Sequence, residues 1–188
     1  MLTRFTKFEI ATAIAILFHT IGLAGLLFFD QAFFLAATPF NLLLSFTLLL
    51  WTQTEKNTGF FLFLAACFVV GIIVEVIGVN TGILFGDYAY GKVLGPGFKG
   101  VPLLIGVNWF LIVYCCGISI HTLLLKAIKR VAEDTGKTPM TLKALSVIID
   151  GATVAVFFDW LMEPVAVKLG YWVWKGDGSI PMLNYICW

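Results

Sequence analysis

Charge is what this chain has least of. Only 12% of its 188 residues are Asp, Glu, Lys or Arg, and 60% are hydrophobic, with a mean hydropathy of +0.97. A soluble domain carries about 25% charged residues. That scarcity excludes an ordinary soluble fold and leaves an integral membrane protein. The formal net charge of +1 offers little to a polyanion, so no nucleic-acid partner is expected. Histidine occurs only at His19 and His121, so no HExxH exists. The four cysteines, Cys67, Cys115, Cys116 and Cys187, form no CxxC or CxxCH. The GxxxxGK[ST] phosphate loop is also missing, and neither a metal nor a nucleotide cofactor is implied. All four cysteines lie in apolar runs and read as small buried thiols. The N-terminal apolar run outlasts a signal peptide and has no clear cleavage site, so it reads as a retained first span.

Apolar residues come in runs long enough to matter. A helix needs about 20 of them to cross the hydrocarbon core. Five runs qualify: Phe8–Phe29, Phe33–Trp51, Phe60–Val79, Val101–Leu125 and Leu142–Met162. A sixth begins near Pro181 and reaches Trp188 with eight residues, about 12 Å of helix, which is too short to span. The expected fold is therefore all-α: one polytopic transmembrane domain over residues 1–188, about six helices, the last incomplete and the chain continuing beyond it. Thr38-Pro39 and Thr138-Pro139 each read as an N-cap followed by proline at the first helical position. Glu163-Pro164 reads as a helix end. With the N-terminus cytoplasmic, eight Lys and Arg lie inside (Arg4, Lys7, Lys56, Lys126, Lys129, Arg130, Lys137, Lys143) and four outside (Lys92, Lys99, Lys168, Lys175). The positive-inside rule thus favours a cytoplasmic N-terminus in the inner membrane.

Two segments between runs stand apart, and this orientation places both outside. "GVNTGILFGDYAYGKVLGPGFKGVP" (78–102) holds seven glycines and two prolines; the other is "GYWVWKGDGSIP" (170–181). They match each other. Glu75 precedes Gly86 by eleven residues, and Asp159 precedes Gly170 by eleven. Tyr88 and Tyr90 then align with Trp172 and Trp174, Val101-Pro102 with Ile180-Pro181, and Trp109 with Trp188. Helices 3–4 and 5–6 therefore read as two copies of one hairpin in the same orientation.

An ionisable residue inside a membrane is expensive and is a functional candidate by default. His19, Glu75, Asp150 and Asp159 lie within spans, with Glu163 at a span end. Glu75 has Gly71 and Gly78 on its helix face, Asp159 has Ala155 and Ala152, and His19 has Ala15 and Gly22. Small residues mark the packing face of a membrane helix, so these groups should face the bundle interior. Glu163 follows one turn beyond Asp159, whereas Asp150 points elsewhere. The outer half of the bundle should thus gather Glu75, Asp159, Glu163 and Asp87 beneath a lid of Tyr88, Tyr90, Tyr171, Trp172 and Trp174. Trp109 with its neighbour Asn108, His19 and Asn184 complete the candidate binding set.

A carboxyl group in apolar surroundings favours its protonated form, which makes it an acid available at neutral pH. Aromatic faces stabilise cations. The combination suits protonation of an isoprenoid double bond to a tertiary carbocation, captured by water. The same carboxylates could instead bind ions or protons in a transporter.

The motifs resemble the CruF-type carotenoid biosynthesis protein family, which includes carotenoid hydratases. E-x-x-G-x-x-T-G-x-x-F-G-x-Y-x-Y falls at Glu75, Gly78, Thr81, Gly82, Phe85, Gly86, Tyr88 and Tyr90. L-G-P falls at Leu94–Pro96, G-V-P at Gly100–Pro102, G-Y-W-x-W at Gly170–Trp174 and I-P-x-x-N at Ile180–Asn184, with the acid-proline pair at Glu163-Pro164. The resemblance implies cofactor-free addition of water to the terminal double bond of an acyclic carotenoid. Its partners are then the polyene, water and the bilayer. Asp159 or Glu75 would be the proton donor, Glu163 or Asp87 would orient water, and Tyr88, Tyr90, Trp172 and Trp174 would flank the cation. End-group cyclisation and non-catalytic polyprenoid binding or transport are the alternatives.

Overall fold

The computed structural model describes residues 5–131 and 140–188. Arg4, Lys137 and the expected helix start at Thr138-Pro139 lie outside the described residues. Seven helices and four short strands follow in order: α1 (Lys7–Phe28), α2 (Gln31–Ala36), α3 (Thr38–Thr52), α4 (Thr58–Thr81), β1 (Tyr88–Tyr90), β2 (Gly97–Phe98), β3 (Val101–Pro102), α5 (Leu104–Val131), α6 (Met140–Lys168), β4 (Trp172–Trp174) and α7 (Met182–Cys187).

Local chemistry sets the ends of these helices. Thr6 and Glu9 close a capping box at the start of α1. Asp30 and Asn57 cap α2 and α4 by accepting the Phe33 and Phe60 backbone N–H groups at 3.1 and 2.9 Å. Such caps satisfy donors that the helix itself cannot and contribute about 1 kcal/mol each. Gly82 ends α4 in the left-handed conformation, φ 67°, its N–H donating to the Gly78 carbonyl.

Among the described residues, four helices are long and apolar enough to cross a membrane: Lys7–Phe28, Thr58–Thr81, Leu104–Lys126 and Thr141–Lys168. No more than 22% of each span is buried against protein, so most of its apolar surface is left to face lipid. This is a multi-pass membrane protein. The expected span Phe33–Trp51 is instead two helices. Pro39 lacks an N–H and its ring would strike the Leu35 carbonyl in a continuous helix, so α2 stops and α3 starts afresh, only 15 residues long. The N-cap is Ala37 rather than Thr38, whose hydroxyl bonds the Phe34 carbonyl and the Tyr171 hydroxyl instead. Val101-Pro102 forms β3, so α5 begins three residues later than expected.

Glu163-Pro164 does not end its helix. α6 runs one turn further, to Lys168, with Pro164 on an exposed face. The proline costs one backbone hydrogen bond, while Glu163 stays on the buried face with Gly151, Ala155 and Asp159. The cysteines also depart from expectation: Cys115 is exposed on α5 and the other three are half-buried.

The two unusual loops meet and pair. β1 and β4 run antiparallel with Tyr88 opposite Trp174, Ala89 opposite Val173 and Tyr90 opposite Trp172. A second small hairpin, β2 with β3, folds within the first loop. The register is informative. If Tyr88 is equivalent to Trp172 and Tyr90 to Trp174, a two-fold axis along the bundle pairs each with the other's equivalent and Ala89 with Val173. Trp109 and Trp188, also equivalent, stack at 4.8 Å with ring planes 6° apart. The register and the stack bring the residues that the repeat matches into contact with one another. Close approach depends on glycine at Gly91, where a Cβ would strike the Gly170 carbonyl oxygen.

Candidate active site

Three carboxyl side chains converge under the β1–β4 ribbon. Glu75 comes from α4, and Asp159 and Glu163 from successive turns of α6. They are 6%, 1% and 2% exposed. A buried charge is tolerated only when paired or richly hydrogen-bonded, and here aromatic donors supply the bonds. Glu75 accepts from Tyr88 Oη at 2.5 Å and Tyr90 Oη at 2.8 Å on one oxygen, and from Trp109 Nε1 at 3.0 Å on the other. Glu163 accepts from Trp172 Nε1 at 3.1 Å and Trp174 Nε1 at 3.0 Å on Oε2. Asn184 Nδ2 donates to Asp159 Oδ2 at 2.7 Å and, more weakly, to Glu163 Oε1 at 3.4 Å.

Glycine makes the Glu75 arrangement possible. A Cβ at Gly71 would lie 2.5 Å from Cγ of Trp109, and one at Gly78 would lie 2.8 Å from Tyr88 Oη. The two glycines flank Glu75 on its own helix face, and their missing side chains are the space through which Trp109 and Tyr88 reach it. Phe85 completes this wall, 4% exposed and with a positive φ of 65°. Such a conformation costs a non-glycine residue about 1 kcal/mol or more. Its ring packs edge-on against Tyr88 and Trp109.

The Tyr88 and Tyr90 phenols have pKa values pushed well above the ordinary value, by burial first and by the neighbouring Glu75 charge second. They remain donors over the whole working pH range.

These groups line a cavity of about 40 Å³. A water needs roughly 10–15 Å³ of such space, so the cavity has room for a few waters beside the carboxyl groups. Asn108, Trp172 and Trp188 contribute to its lining. Asp159 is the carboxyl group least engaged. Protein donors reach only Oδ2 among the described residues, whereas both oxygens of Glu75 and Glu163 are held.

The site brings together most residues expected from sequence: Glu75, Asp159, Glu163, Tyr88, Tyr90, Trp172, Trp174, Trp109, Asn108 and Asn184. Three lie elsewhere. Asp87 sits on the outer side of the ribbon in an ion pair with Lys175 at 2.7 Å, its side chain 63% exposed. One residue of strand separates it from Tyr88's inward face, enough to reverse its direction. His19 is exposed on α1 and bonds the Ala15 carbonyl through Nδ1 at 2.8 Å. Tyr171 turns toward Thr38, 2.6 Å away. Both line a separate groove between α1, α2 and α3. Asp150 points away, accepting from Ser146. The equivalence of Glu75 and Asp159 does not extend to their partners, because Trp172 and Trp174 bind Glu163 one turn further on. Phe85, Ile105, Met162 and Trp188 also line the cavity and were not expected there. Trp188 was legible, since it occupies the repeat position of Trp109.

The fold and site define a class: a multi-pass membrane protein that holds acid groups and aromatic rings against an apolar environment. The chain belongs to the carotenoid biosynthesis protein family, which matches it over residues 32–188. It is similar to bisanhydrobacterioruberin hydratase of Haloarcula japonica, with 30% identity over 137 residues. That alignment covers 71% of this chain and 42% of the relative, so the chain spans less than half of that protein's length. No solved structure matches it.

Proposed function

We propose that the protein adds water to the terminal double bond of an acyclic carotenoid end group, without a cofactor. The observation that carries this reading is the convergence of Glu75, Asp159 and Glu163 on one water-sized cavity walled by aromatic rings. Family membership and the hydratase relative support the same chemistry. The carboxyl proton of Asp159 adds to the less substituted carbon of the alkene, and the electron pair of the double bond forms the new C–H bond. The adjacent carbon becomes a tertiary cation. A water in the cavity supplies its lone pair to that carbon and gives its proton to a carboxylate, so the net change is addition of one water.

Asp159 is assigned the acid because one of its oxygens is left without a protein donor. Glu163, beside it, holds the water and takes its proton. Glu75, fixed by three donors, supplies negative charge opposite the cation. The rings of Tyr88, Trp109 and Trp174 stabilise the cation by roughly 0.5–2 kcal/mol per favourable contact. We also assign the ribbon to the outer face of the inner membrane and the N-terminus to the cytoplasm.

The test is expression in a lycopene-accumulating host with mass analysis of the pigments. A gain of one water per modified end supports hydration. An isomer of unchanged mass indicates cyclisation, and unchanged pigment across related acyclic carotenoids removes both.

A further inference from the structure

α7 is held in place by the first outer loop. Its N-cap, Pro181, packs so closely on Gly86 that a Cβ at Gly86 would lie 2.7 Å from the proline Cγ. Near the other end of the helix, the Phe85 N–H donates to Cys187 Sγ at 3.4 Å. Between these contacts stands Asn184, whose backbone N–H donates to the Pro181 carbonyl at 3.0 Å. The residue is 3% exposed, and its side chain reaches back to α6. Nδ2 lies 2.7 Å from Asp159 Oδ2 and 3.4 Å from Glu163 Oε1. One amide nitrogen therefore bridges two carboxyl groups that α6 presents on successive turns of one face.

An amide NH₂ has two hydrogens to give and accepts nothing. That decides what each carboxyl oxygen can hold. Asp159 Oδ2 accepts an amide hydrogen, so the proton of this carboxyl group belongs on Oδ1. Glu163 accepts from the amide on Oε1 and from the Trp172 and Trp174 indoles on Oε2, at 3.1 and 3.0 Å. An indole N–H also only donates. Both oxygens of Glu163 thus meet donor-only groups, an arrangement that suits a carboxylate. Two carboxyl groups on neighbouring turns can trade one proton, and the bridging amide decides which of them holds it.

We propose that Asn184 is the positioning residue that gives the proton of this pair to Asp159 and turns it to Oδ1, with Glu163 kept as the carboxylate. The use of that proton on an alkene rests on the hydratase reading; its placement rests on the amide and indole contacts. When the proton leaves, the O–H electron pair stays on Asp159 and the alkene pair forms the new C–H bond. The amide then donates to a charged carboxylate, so its hydrogen bond strengthens as the reaction proceeds.

The experiment reads the proton directly as well as turnover. Infrared spectra of the purified protein are recorded, and the carboxylic-acid carbonyl band that Asp159→Asn removes is assigned to Asp159. Asn184→Leu keeps the approximate volume and removes the donor. In this variant the Asp159 band is expected to rise in frequency, because its carbonyl oxygen loses a hydrogen bond, or to give way to a band that Glu163→Gln removes. Asn184→Gln, which keeps an amide, is expected to change it less. With lycopene as substrate, Asn184→Leu is expected to lower kcat at least about ten-fold, short of the roughly 10²–10⁴ of a general acid itself, with KM within about two-fold and partial recovery in Asn184→Gln. Asn184→Ala is the second variant should Asn184→Leu fail to accumulate. An Asp159 band unchanged in Asn184→Leu and Asn184→Ala overturns this role of Asn184, as does a wild-type spectrum without any band that Asp159→Asn removes. A changed band with wild-type kcat overturns its part in the reaction. A changed band in a protein that hydrates no acyclic carotenoid leaves the proton placement standing and removes the hydratase reading.

Discussion

Asp159 and Glu163 are neighbours on one helix, yet their surroundings separate them. Asp159 has a single amide donor, and Glu163 has two indoles and a share of the same amide. Asp159→Asn is expected to reduce hydrated product at least 100-fold, within the 10²–10⁴ range of a general acid, while the protein stays in the membrane; wild-type turnover in this variant removes Asp159 as the acid. Gly71→Val tests the support of Glu75 from a distance. Its side chain displaces the Trp109 ring, at an overpacking cost of about 1–3 kcal/mol, and product should fall with thermal stability. The phenols supply a pH signature. Their pKa values are raised in the folded protein, whereas an unfolded tyrosine ionises near pH 10. Below about pH 10 both states hold the proton and the full contribution is present. Above it the unfolded state loses protons that the folded state keeps, so stability falls as pH rises. A thermal midpoint that is flat to about pH 10 and then drops is expected, with a shallower drop in Tyr88→Phe and Tyr90→Phe.

Among the elements, the β1–β4 ribbon is the decisive one, because it turns two separate loops into a single roof. Side-chain alternation puts Tyr88 and Tyr90 inside with Trp172 and Trp174, and puts Asp87 and Lys175 outside. The exposed Asp87–Lys175 pair is a surface ion pair of the kind that contributes about 0–1 kcal/mol. Asp87→Ala is accordingly expected to keep product yield within about two-fold and to shift the thermal midpoint only slightly. A loss as deep as that of Asp159→Asn would return Asp87 to the reaction. α6 shows the converse effect. Proline at position 164 marks a stop by local rules, but burial of Glu163 on the row beginning at Gly151 carries the helix through it.

At the scale of the molecule, four lipid-facing helices and the half-span α3 form a scaffold whose polar investment is concentrated at one end. The chain should remain in the pellet after alkaline carbonate washing of membranes; release into the supernatant would contradict its reading as multi-pass. The same concentration explains how buried acid groups and extensive lipid exposure are compatible in one chain. The buried carboxyl groups take their hydrogen bonds from aromatic donors of the ribbon and α5 and from the Asn184 amide on α7.

The sequence by itself determined the membrane class, because a hydrophobic chain with so little charge has no other stable environment. It also marked Glu75 and Asp159 as buried, since a carboxyl group on a small-residue helix face must be buried and partnered. The presence of an aromatic lid over the acids was legible through spacing alone. Tertiary structure decided how the lid is built. Two three-residue strands, far apart in the chain, carry no periodicity long enough to announce their pairing, and only their meeting fixes which side chains face inward. That step turned Asp87 outward and gave Trp172 and Trp174 to Glu163 rather than to Asp159, while the packing of α1 on α3 left His19 in a separate groove. It also set the size of the cavity, a property of the space between elements that no single segment encodes.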